Sequence, residues 1–229
     1  MKERPISFST SLIQPIHNGV KTMTRRLLSD KLIINDDPDR YKYIGYDKGL
    51  LFEDLKPEIT PWITPIPSPF GEIGDQLWIR EEHKIWAVEN RWYCQFKDGV
   101  IIDLYYKEIS LTTLQKLRKR KTLGKWQRAR FLPKVFARTW IEITDVKADR
   151  LASISADDAV HEGIEVLPSW PEAPEETRYR WYNHPYGGEV GTNDPILSFF
   201  TLWASIQGEN SVKSNPWVWV IGFEVIIKS

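Results

Sequence analysis

Apolar residues are spaced most regularly in residues 139–146, where Ile141 and Ile143 alternate with Glu142 and Thr144. This is the two-residue period of a half-buried strand. The next stretch, SISADDAVHEGI, sets Ser153 and Ser155 ahead of two aspartates and Gly163. A serine cap, an acidic first turn and a glycine stop predict a short helix there. Near the start, Ile6 and Phe8 alternate, and Leu12, Ile13 and Ile16 then give a helical face ended by Gly19. Pro15 removes a backbone donor, so that helix is expected to start late or bend. A strand is expected over residues 76–80, and a hairpin over 85–106 turning near Lys97-Asp98-Gly99. ILSFFTLWASIQG reads as an apolar helix, and the almost continuously β-forming PWVWVIGFEVII reads as a buried closing strand.

Between these segments, proline and glycine interrupt both periods. Residues 29–70 read as a long surface excursion, and residues 166–195 return to loop chemistry rich in Pro, Gly and aromatic side chains. Strands near both ends with short helices between them predict a β-rich α+β fold. It is read as one domain over residues 1–229, with insertions at about 29–70, 84–130 and 166–195.

Composition narrows the function classes. The 229 residues carry 31 basic and 31 acidic side chains, so the whole molecule lacks the broad positive field of a nucleic-acid coat. Charge is nevertheless segregated: KLRKRKTLGKWQRAR, residues 116–130, contains no acid and includes Trp126. The single cysteine, Cys94, has no disulfide partner within the chain and fits a reducing compartment. No signal-like or membrane-spanning run is present, so a cytoplasmic location is expected. The four histidines lack H-x-x-x-H or H-E-x-x-H spacing, and neither a metal nor a cofactor is expected.

The segment GVKTMTRRLL, residues 19–28, crowds a lysine, two threonines and two arginines behind a glycine. Taken alone, it equally describes solvated charges on a strand edge. Together with GEIGDQLWIRE, WIEITDV followed by SISADDAVHEGI, FFTLWASIQG and NPWVWVIGFEVI, in that order, it resembles the ASCH family of the PUA-like superfamily, in particular its larger phage and prophage members. The resemblance implies a curved sheet or pseudo-barrel with short flanking helices around a cleft. It also implies one of two activities: nucleic-acid binding, or hydrolysis of the acetyl amide of N4-acetylcytidine. In the small amidohydrolases of this family, a lysine, a threonine three residues later and a glutamate from the helix after the central strand act together. Carried onto this chain, those residues are Lys21, Thr24 and Glu162.

The implied roles are Thr24 as nucleophile, Lys21 as base and Glu162 as acid/base. A lysine base must be neutral part of the time, which requires burial or neighbouring cations, and Arg25 and Arg26 are the candidates for the latter. Residues three apart in a strand face opposite sides, so Lys21 is expected in the turn before the strand that carries Thr24. Arg25, Arg26, Arg80 and Trp126 are the expected contacts for a modified cytosine nucleoside or nucleotide, or for RNA or single-stranded nucleic acid. Glu81 and Glu82 stand as reserve carboxylates, and the aromatic loop RYRWYNHPYGG as a stacking wall or lid.

Overall fold

The computed structural model describes residues 1–29, 32–56, 64–185 and 190–227. In chain order its strands are β1 (Glu3–Ser7), β2 (Met23–Leu27), β3 (Tyr41–Tyr46), β4 (Leu50–Asp54), β5 (Gln76–Arg80), β6 (His83–Val88), β7 (Arg91–Phe96), β8 (Ile101–Tyr105), β9 (Trp126–Gln127), β10 (Trp140–Arg150), β11 (Val166–Leu167), β12 (Arg178–Arg180), β13 (Gly191–Thr192) and β14 (Trp217–Ile226). The helices are α1 (Ile13–His17), α2 (Leu111–Arg118), α3 (Ala156–His161), α4 (Pro195–Gln207) and α5 (Glu209–Lys213). The fold is therefore β-rich α+β, and among the described residues no sheet closes into a barrel.

The central sheet has the order β1-β5-β10-β14-β2, with β1 parallel to β5 and the other pairs antiparallel. Its spine is β10, which runs four residues beyond the alternating stretch seen in the sequence. The register shifts between Ile143 and Asp145, so the inward positions change from Ile141 and Ile143 to Val146 and Ala148. A bulge of this kind resets the two-residue period, which is why the alternation seemed to end early. Strand β14 is buried at every position from Trp217 to Phe223, as its unbroken apolar run predicts.

Two expectations need correction. Residues 29–70 do not simply run over the surface: β3 and β4 form a hairpin within them, and Ile34, Tyr41, Leu50 and Phe52 enter the main core. The Phe52 ring meets Trp217 edge-on at 5.0 Å. The apolar runs that carry them are too short to show a sustained period, and part of the proline-rich stretch, residues 57–63, lies outside the described residues. The hairpin expected over 85–106 is instead a three-stranded meander, β6-β7-β8, extended by β9. Its extra turn is at Glu89 and Asn90, where Glu89 adopts φ 52°, a conformation unusual for that residue type.

The meander, α2 and the following turns enclose a second apolar core that includes Trp92, Cys94, Phe96, Leu114, Leu117 and Phe136. Short strands β11-β12-β13 form a further sheet inside the stretch read as loop. No helix among the described residues is long and apolar enough to cross a membrane.

Candidate functional site

Helix α1 ends at Gly19, whose φ of 71° lies in the left-handed region that favours glycine. The chain then folds back, and the amides of Val20 and Lys21 both donate to the Pro15 carbonyl at 2.9 Å. Lys21 therefore lies in the turn, before β2 begins, and Thr24 lies in the strand opposite Ile221. The expected placement of both residues holds.

Glu162 arrives from the other side. Ser155 caps α3 by accepting the Asp158 amide at 3.1 Å, and Glu162 closes the helix by donating its amide to the Asp158 carbonyl at 2.9 Å. The chain leaves through Gly163 at φ 80°. A Cβ at this position would stand 2.8 Å from Lys21 Cβ and 3.1 Å from Pro15 Cβ, closer than packed carbons approach. The glycine serves both the helix stop and the seating of the lysine. The Thr22 amide donates to the His161 carbonyl at 3.1 Å, tying the two segments together.

The lysine is 1% exposed and the glutamate 4%. Lys21 Nζ donates to the Met23 carbonyl at 2.8 Å, the Glu162 carbonyl at 2.6 Å and Glu162 Oε2 at 2.9 Å. An ammonium has three donors, and these three acceptors use them all. Burial holds the Lys21 ammonium below its ordinary range, the Glu162 carboxylate opposes that shift, and Arg26 and Arg25 add to it. Arg25, itself buried, bridges Glu162 Oε1 at 3.3 Å and Asp158 Oδ2 at 2.7 Å, two acids one helical turn apart. Arg26 donates to the Ser7 carbonyl at 2.8 Å and lies over the Phe8 ring at 4.9 Å.

Lys21, Thr24, Arg25, Arg26 and Glu162 all line one cleft of about 470 Å³. That volume is within the range of small-molecule sites. Phe8, Phe199 and Trp203 give it apolar walls, and Glu82, Arg128 and Arg130 are also among its lining residues.

Two expected contacts stand elsewhere. Arg80 donates to the Arg130 carbonyl at 3.1 Å and supports the cleft edge without lining it. Trp126 is 42% exposed on the meander under the Lys97 ammonium, which lies 4.2 Å from its ring centre. The reserve acids also divide, since Glu82 lines the cleft whereas Glu81 is bound by Arg138 through both carboxylate oxygens. The aromatic loop gives the cleft no wall from its described residues: Trp181 packs against His184, and Tyr182 accepts the Glu165 amide. Tyr186, Gly187 and Gly188 lie outside the described residues.

Sequence reading missed Phe199 and Trp203 as cleft walls. Their spacing of four in an apolar helix was the available signal, but it does not tell a cleft from a core. Among the described residues no cluster of three or more His, Cys, Asp or Glu side chains is placed to hold a metal ion. The chain matches no family model, no curated protein sequence and no solved structure.

Proposed function

We propose that the cleft hydrolyses the exocyclic amide of an N4-acylated cytosine, with Thr24 as nucleophile, Lys21 as base and Glu162 as acid/base. One observation carries the reading: a buried Lys21–Glu162 pair at 2.9 Å lines the same cleft as the Thr24 side chain. Proton exchange across that contact gives the neutral amine needed to accept the Thr24 proton. The hydroxyl oxygen then bonds to the acyl carbon, the C–N4 bond breaks, and the departing cytosine amine takes a proton from the Lys21–Glu162 pair. Water hydrolyses the resulting threonyl ester, releasing the carboxylic acid and restoring the hydroxyl. Arg25 keeps Glu162 in place through its 3.3 Å contact and through Asp158.

Purified protein incubated with N4-acetylcytidine and its 5′-monophosphate should release the deacylated base, measured chromatographically. Lys21→Met should lower kcat by about 10²- to 10⁴-fold. Thr24→Val should abolish turnover while Thr24→Ser retains part of it. Absence of wild-type turnover across a set of N4-acylated cytosines would sink the proposal.

A second reading, a non-catalytic RNA- or single-stranded-nucleic-acid-binding module, is favoured by Arg128 and Arg130, which carry the basic run to the cleft. Salt-dependent oligonucleotide binding that survives Lys21→Met, without any turnover, would select it.

A further inference from the structure

The cationic groups of the cleft are not all accounted for by its acids. Five cationic side chains line it, against the carboxylates of Glu82 and Glu162. Lys21 is matched by Glu162, and Arg25 is held by Asp158 and Glu162. Arg26, Arg128 and Arg130 form no ion pair with any described residue, and the Arg26 Nε is buried without a hydrogen-bond partner among the described residues. With Glu82 set against these three, an excess of about two positive charges faces a cleft with low-dielectric aromatic walls, which concentrates the field on a bound anion.

Arg128 and Arg130 are also presented by a fixed piece of backbone. They flank Ala129 in a single tight turn, Ala129–Phe131. Arg80 donates to the Arg130 carbonyl at 3.1 Å, and Arg120 donates to the Phe131 carbonyl at 2.9 Å. Two arginines outside the cleft thus hold the turn whose two other arginines stand exposed at its rim, the Arg130 guanidinium 4.9 Å from the centre of the Phe131 ring. A guanidinium group matches the geometry and charge of a phosphate oxygen pair, and a cleft rim with two of them suits such a group.

We infer that the cleft takes a phosphorylated ligand, a nucleoside 5′-monophosphate, whose phosphate is held by Arg128 and Arg130 with Arg26 nearby. The cytosine identity of the base rests on the function proposed above, whereas the phosphate site does not. A phosphate monoester carries close to two negative charges at neutral pH and a backbone phosphodiester carries one. The charge excess favours the monoester, and the cleft volume suits one nucleotide.

Binding can be measured by calorimetry without any turnover, using CMP, UMP and AMP, the three parent nucleosides, and a short oligocytidine that lacks terminal phosphates. The monophosphate of at least one base should bind about ten- to a hundredfold tighter than its nucleoside, the value of one to two charge-assisted contacts. The double variant R128Q/R130Q should remove that difference while leaving nucleoside affinity unchanged. Thermal melting of the variant without ligand shows whether it is folded. Equal binding of nucleotide and nucleoside, or a preference that survives in folded R128Q/R130Q, overturns the inference. Tight oligocytidine binding with no preference for CMP over cytidine also overturns it, and assigns the arginines to a polymer. A protein that binds CMP through these arginines yet never hydrolyses N4-acylated cytosines refutes the amidohydrolase and leaves the phosphate site standing.

Discussion

Two buried ionic clusters in this molecule use the same chemistry to different ends. In the first, Lys21, Arg25, Asp158 and Glu162 join β2 to the end of α3 beside a cleft of about 470 Å³. In the second, Arg138 grips Glu81 through both carboxylate oxygens and reaches Asp98 at 2.7 Å, beside a crevice of only about 50 Å³. Glu81 follows β5, Asp98 lies in the β7–β8 turn and Arg138 precedes β10. The second cluster therefore clasps the entry, the turn and the exit of the segment that holds the second core. A buried charge needs pairing wherever it lies. Of the two, the first cluster alone has its paired groups facing room for a ligand, next to a hydroxyl and an arginine Nε that has no partner among the described residues.

The most forceful way to break this comparison is to remove one cation from each cluster. Lys21→Met and Arg138→Met should each destabilise the fold by about 3–5 kcal/mol, because each strips a partner from a buried carboxylate. Denaturant titration reads that cost. Turnover should separate the two, with kcat lost in Lys21→Met and retained in folded Arg138→Met. If Arg138→Met also lost its activity while remaining folded, the clasp would belong to the site and the contrast would fail.

A second and somewhat smaller effect comes from His83, which sits beside the clasp. It is fully buried, its Nδ1 lies 3.0 Å from the Glu81 carbonyl, and its Nε2 has no partner among the described residues. Burial lowers its pKa to about 4, with Arg120 adding to the shift and the Glu81 carbonyl opposing it. The unfolded chain takes up a proton as pH falls below about 6.5, but the folded chain does not until about 4. Stability should therefore decline across that window by about 3 kcal/mol from this group alone, and no further below it. Unfolding midpoints of the wild type and His83→Gln, compared at the two pH values, give the difference. Parallel slopes would show that His83 is protonated in the fold. The proposed hydrolysis should gain no new dependence from this residue, since His83 does not line the cleft.

The legible parts of the molecule were those governed by short-range rules. The first part of strand β10 and helix α3 followed from alternation and capping within a dozen residues, and Gly19 and Gly163 were read as stops for the same reason. Lys21 and Glu162 lie 141 positions apart, and no local pattern pairs them; the resemblance supplied that pairing, and the geometry placed both at one cleft. The basic run was visible as composition, yet composition does not say which side chains turn inward. Arg128 and Arg130 line the cleft, whereas Trp126, two residues earlier, stays on the outer meander. The β3–β4 hairpin was hidden because its core residues Tyr41, Leu50 and Phe52 show no sustained two-residue period, and only long-range packing against residues such as Trp217 reveals them.

The smallest expected effect concerns Ser155, which belongs to the first cluster without touching the cleft. Its hydroxyl accepts the Asp158 amide, and Asp158 in turn holds Arg25 at 2.7 Å, so the cap sits one step behind the groups that position Glu162. Ser155→Ala should cost about 1 kcal/mol, which for a chain of this size lowers Tm by about 2–4 °C. Ser155→Asp should restore it, because aspartate caps equally well and its charge suits a helix N-terminus. The three buried contacts of Lys21 Nζ do not involve the cap, so kcat should fall far less than in Lys21→Met. A loss of turnover in Ser155→Ala as large as in Lys21→Met, with Tm unchanged, would mean that the hydroxyl acts on the site directly. The separation between scaffold and chemistry within the first cluster would then have to be redrawn.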